Sequence, residues 1–133
     1  RGGVTGQKMI DEHHLTDTDA VVCISVVTKA ELLALGWKNG WGQKKFDKLI
    51  KLLQGFIILN IYDSDVHLLH AYAEIDAYCS GKHPTKILSG SSKKLGKNDL
   101  WIASTAYTAN LPLITGDKDF LPLHGVFLHI ITY

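Results

Sequence analysis

Residues 20–35 read AVVCISVVTKAELLAL, and the change of pattern inside this stretch decides the fold. The first part, residues 20–26, is uncharged and rich in β-branched side chains, which suits a buried strand. Thr28 and Glu31 then stand at the S/T-x-x-E spacing of a capping box, where hydroxyl and carboxylate satisfy backbone N–H groups at a helix start. Ala30, Leu32, Leu33 and Leu35 carry that helix to Gly36. A strand that feeds straight into a helix belongs to an α/β sheet.

Working outward, residues 5–14 are polar and read as a helix, and Asp17 to Asp19 as a turn before the strand. After a glycine-punctuated turn at 38–41, QKKFDKLIKLLQ at 43–54 places Phe46, Leu49, Ile50, Leu52 and Leu53 largely on one face of an amphipathic helix. FIILNI at 56–61 reads as a buried strand, and 64–79 as a helix with Ser64 as its cap. Residues 80–98, rich in glycine, serine and lysine, form a long loop. Asn98 caps a helix over 99–109, strands follow at 111–115 and 126–133, and GDKDF turns between them. Strands separated by helices call for parallel pairing with right-handed crossovers. The expected architecture is therefore a three-layer α/β/α sandwich with a mostly parallel central sheet.

A chain of 133 residues suggests one domain, 1–133. With 46% hydrophobic and 20% charged residues the composition is globular, and a net charge of +1 gives no global signature of nucleic-acid binding. Cys23 and Cys79 lack CxxC spacing and read as buried thiols of a reducing compartment. No apolar run approaches a membrane span and no signal-peptide pattern opens the chain, so the expected location is cytoplasmic, without membrane contact. The opening RGG suggests a domain that lacks its natural N-terminus.

Three acids occupy the places where strand should pass to helix or turn: Glu31, Asp99 and Asp117. Ligands of open α/β sheets collect at the carboxyl ends of the strands, so these side chains would converge there. Carboxylates about 5 Å apart repel by roughly 3 kcal/mol per ionised pair at an effective dielectric of ~20. A hard divalent cation relieves that repulsion, activates water and stabilises charge on phosphorus oxygens. Taken singly, Glu31 could merely complete a capping box, Asp99 favour a positive helix end and Asp117 occupy a turn. Lys93, Lys94 and Lys97, just before Asp99, suit an RNA backbone or a solvated loop equally well. Lys38, Trp41, Lys44, Lys45 and Lys48 combine charge with an aromatic, a mix that fits RNA stacking, a protein partner or a solvated helix face.

SVVTKAEL at 25–32, NDLWIASTA at 98–106 and TGDKDF at 115–120, in that order and spacing, resemble the PIN-domain ribonucleases, and in style the VapC-type toxins of toxin–antitoxin pairs. The resemblance implies Mg²⁺- or Mn²⁺-dependent cleavage of RNA. It implies Glu31, Asp99 and Asp117 as catalytic metal ligands, with Asp119 as a further ligand and Thr115, Thr28 and Asn98 in accessory places. It also implies a homodimer and a small antitoxin that blocks the acidic site.

The family ordinarily begins with a central strand ending in aspartate, followed by a helix, and this chain has no counterpart. Asp17 is no replacement, because too few residues separate Asp19 from Ser25 for a helix of roughly ten residues. Without that strand two half-sheets would keep unpaired edges. Preceding residues, or a strand from a partner chain, are therefore expected. The alternative is a catalytically inactive PIN-like scaffold that binds RNA or a partner protein. An unrelated nucleotide-binding domain is disfavoured, since neither GxGxxG nor GxxxxGK[ST] occurs.

Overall fold

Ser25 sets the point where strand gives way to helix. The computed structural model describes residues 22–90 and 95–133, so the expected helix at 5–14, the turn at 17–19 and the first residues of the strand lie outside the described residues. Strand β1 spans Cys23–Ser25, and helix α1, Val26–Lys38, follows with no loop between them. The Ser25 hydroxyl accepts the N–H of Val27 at 3.1 Å and caps the helix. Thr28 consequently lies inside the first turn and Glu31 in the second, so the Thr28–Glu31 pair does not start the helix as expected. Val26 and Val27 are helical despite their β-branching: a side-chain cap contributes about 1 kcal/mol, more than the few tenths by which valine disfavours a helix.

The chain divides into two compact units, Arg1–Leu59 and Asn60–Tyr133. In the first, β1 pairs in parallel with β2, Ile57–Leu59, in the register Cys23↔Ile57 to Ser25↔Leu59. The connection is a helical hairpin, α1 followed by α2, Gln43–Gln54. Helix α1 runs past Gly36 to Lys38 and closes in a Schellman motif. Gly40 takes a left-handed φ of +63°, its N–H donates to the Trp37 carbonyl at 3.2 Å, and the Trp41 N–H donates to the Gly36 carbonyl at 3.0 Å. Gly36 is buried, and a methyl added there would lie 2.6 Å from Phe46 Cε1. The missing side chain is what lets the α2 ring rest on α1.

In the second unit, Asp65 rather than Ser64 caps helix α3, Val66–Cys79, its Oδ1 accepting the Leu68 N–H at 3.0 Å. Helix α4 is Lys97–Thr108, and Gly96 is its N-cap, so Asn98 does not cap it. Strand β3, Leu113–Thr115, pairs in parallel with β4, Ile130–Thr132, with Thr115 opposite Thr132. The segment between them holds a short 3₁₀ turn, Lys118–Leu123, in place of a full crossover helix. Ile75, Leu100, Ala103, Leu123 and Phe127 belong to one buried cluster that joins α3, α4 and this segment. The Tyr78 hydroxyl donates to the Pro122 carbonyl at 3.3 Å, and its ring meets Phe127 edge-on at 5.2 Å. The α/β class and the parallel pairing expected from the sequence hold in both units.

Candidate functional site

Thr115, Asp117 and Asp119 meet in one turn at the carboxyl end of β3. The Asp117 N–H donates to Thr115 Oγ1 at 3.0 Å, and Asp117 Oδ1 accepts the Asp119 N–H at 2.9 Å. Asp117 is thereby the N-cap of the 3₁₀ turn, and both acids are half-buried. The hydrogen bonds are local, yet they fix the direction of a carboxylate where α/β sheets gather ligands.

The ladder ends at Thr115↔Thr132, and the residues that follow, Gly116 and Tyr133, lie close to each other. A methyl on Gly116 would stand 3.2 Å from Tyr133 Cε2, so the Tyr133 ring covers the backbone directly before Asp117. Sequence reading missed this contact. The glycine next to an acid at a strand end was the available signal, since glycine permits close approach.

Asp99 lies in the first turn of α4, where the positive end of the helix dipole favours a carboxylate. It is half-buried, and its Oδ2 reaches back to within 4.0 Å of where a Cβ on Gly96 would stand. Asn98 and Lys97 begin the same helix and are exposed. Lys93 and Lys94 lie outside the described residues. Glu31 and Thr28 belong to the first unit, on α1, where Glu31 is exposed.

Among the described residues, no group of three or more His, Cys, Asp or Glu side chains in either unit is arranged to hold a metal ion. The donor chemistry of the second unit nonetheless suits a hard cation: Asp99, Asp117 and Asp119 offer carboxylate oxygens, the ligands that Mg²⁺ and Mn²⁺ take. The Asx geometry at Asp117 also holds one such carboxylate in a fixed direction.

Two further clusters escaped sequence reading. His83 Nδ1 accepts the N–H groups of Thr85, at 3.2 Å, and Lys86, at 2.9 Å. Its Nε2 must then carry the proton and donate to Glu74 Oε2, 2.8 Å away. Lys86 Nζ donates to the same oxygen at 3.2 Å. The His83 hydrogen bond holds the Glu74 carboxyl below its ordinary range against the opposing effect of burial, with Lys86 adding to it. The start of the supposed long loop is thus fastened to α3. Elsewhere, burial and then the Asp76 carboxylate push the Cys79 thiol up, which disfavours its thiolate form.

Comparison with known proteins then gives the following. The family described as PIN domain matches residues 9–123. The chain is similar to a chain in the crystal structure of VapBC2 from Rickettsia felis bound to a DNA fragment from their promoter, at 21% identity and a TM-score of 0.72, covering 98% of this chain and 86% of that one. It is similar to a chain of VapBC-1 from nontypeable Haemophilus influenzae, at 22% identity and a TM-score of 0.65, covering 94% and 84%. A third likeness is to VapBC-5 from Mycobacterium tuberculosis, a member of the VapBC family of toxin–antitoxin systems, at 28% identity and a TM-score of 0.57, covering 82% and 79%. No match is found among curated proteins. Among the described residues, no helix is long and apolar enough to cross a membrane.

Proposed function

The chain belongs to the PIN-domain family, and on that premise we propose that it is a metal-dependent endoribonuclease, the toxin of a toxin–antitoxin pair. The observation that carries this reading is the turn at Asp117, where Thr115 takes the backbone N–H of Asp117 and the Asp119 N–H holds its carboxylate at the end of a parallel strand. Asp99, in the first turn of a helix of the same unit, supports it.

In this reading the carboxylates of Asp99, Asp117 and Asp119, and that of Glu31 as the family resemblance implies, would be the ligands for Mg²⁺ or Mn²⁺, which supplies an activated water and charge stabilisation at the phosphodiester. Thr115 positions Asp117 by taking its N–H, and Asp117 positions Asp119 in turn. Thr28 and Asn98 keep accessory places on α1 and α4. Lys97, exposed in the first turn of α4, offers a cation to the RNA backbone, and Lys93 and Lys94 take the same role. A small antitoxin partner is proposed because the similar structures are VapBC toxin–antitoxin complexes. A homodimer and a cytoplasmic location complete the reading.

The test is cleavage of a labelled RNA by the full chain with Mg²⁺, with Mn²⁺ and with chelator, beside Asp99→Asn. Cleavage that needs the cation and fails in the variant supports the proposal. Cleavage that survives both chelator and substitution ends it. Binding of RNA or a protein with no cleavage under either metal leaves the inactive scaffold instead.

A further inference from the structure

We propose that the tip of the α1–α2 hairpin is a platform for single-stranded RNA, with Trp37 stacking an unpaired base and lysines of α2 taking the phosphates. Three aromatic rings gather there. Phe46 stands between two indoles, 6.0 Å from the Trp37 ring and 5.9 Å from that of Trp41. Trp37 is 80% exposed, an unusual state for the largest apolar side chain. The Schellman closure at Gly40 and the bare Cα of Gly36 fix this geometry, so the surface is built before any ligand arrives.

Charge identifies the ligand. Residues 38–51 hold five lysines and a single acid, Asp47, whose carboxylate already accepts from Gln43 Nε2 at 2.7 Å. The whole chain carries only +1, so this hairpin is a local basic patch. Lys45 Nζ sits 4.3 Å from the Trp41 ring centroid, a cation held beside a stacking surface. Lysine is depleted at the centre of protein–protein interfaces, whereas exposed aromatics among lysines are the recurring design of single-strand grooves. Stacking accepts any base and phosphate contacts carry no sequence, so the platform binds strands without strong sequence preference. The proposal rests on the ribonuclease reading only for the choice of RNA.

The experiment uses the full chain in chelator, so that binding is read without cleavage. Anisotropy of a labelled, unstructured single-stranded RNA is measured for the unaltered chain, for Trp37→Ala and for the combined Lys44→Gln, Lys45→Gln, Lys48→Gln variant. Trp37→Ala is expected to weaken binding about tenfold, the usual effect of losing one stacked base. The lysine variant is expected to flatten the salt dependence by about 0.7 in log–log slope per lost phosphate contact. Circular dichroism of both variants should match the unaltered chain, since all four side chains are exposed. Equal affinity in all three proteins overturns the platform, as does no RNA affinity in the unaltered chain. A partner protein that needs Trp37 while RNA affinity does not also overturns it. RNA binding that depends on Trp37, in a chain that never cleaves, upholds the platform while the nuclease reading falls. Cleavage with KM unchanged by Trp37→Ala does the reverse.

Discussion

The backbone N–H of Asp117 donates to Oγ1 of Thr115 across 3.0 Å, two residues back at the end of β3. Thr115 is thereby a positioning residue for the acid. Thr115→Val keeps the shape and removes the acceptor, which should cost about 1 kcal/mol in denaturant unfolding. It should also weaken Mn²⁺ binding measured by calorimetry, and Thr115→Ser should restore both. Lost stability with unchanged Mn²⁺ affinity would reduce the threonine to a structural part.

Asp117 has two separable duties, capping and charge. Asp117→Asn keeps an oxygen for the Asp119 N–H, so its melting temperature should stay close to that of the unaltered chain. Asp117→Ala loses the cap as well and should lose about 1 kcal/mol of stability. Both should abolish RNA cleavage. An active Asp117→Asn would remove this carboxylate from the chemistry.

The Glu74–His83 pair predicts an acid-dependent loss of stability. A carboxyl whose pKa is lowered on folding binds fewer protons folded than unfolded, so its contribution is complete above the ordinary glutamate range. That contribution disappears as pH falls through the lowered value. Glu74→Gln should therefore lower the melting temperature at pH 7 and converge with the unaltered chain as pH falls below the lowered value. A gap between the two that stays constant with pH would contradict the assignment.

Gly36→Ala should destabilise the hairpin by about 1–3 kcal/mol, because its methyl would fall 2.6 Å from the Phe46 ring. The displaced ring should also change the emission of Trp41, which lies 3.0 Å from the same added methyl. Pairing it with Phe46→Leu should recover part of the loss in chemical denaturation.

The helix Gln43–Gln54 was legible because its apolar period runs between two glycines, which hold the caps at 42 and 55. The start of α1 was not, because Ser25 and Thr28 are chemically equivalent caps three residues apart. Choosing between them needs the strand register, which ends at Ser25↔Leu59. The same ambiguity moved the cap of α3 from Ser64 to Asp65, whereas α4 begins after Gly96 with no side-chain cap, which a search for capping side chains passes over in favour of Asn98. Strand lengths were overread, since apolar β-branched runs extend beyond three-residue ladders. The acidic turn was readable residue by residue as TGDKDF. The His83–Glu74 latch was not, because a left-handed Gly81 folds the chain back onto α3 and no local pattern announces the meeting.

The ring of Tyr133 lies over Gly116, next door to the acid whose orientation Thr115 sets. That contact supplies a spectroscopic reporter: fluorine placed on tyrosine rings would give one ¹⁹F resonance, identified by its absence in Tyr133→Phe, that senses ions or strands arriving at Asp117. Occupancy could then be followed in solution without waiting for a bond to break.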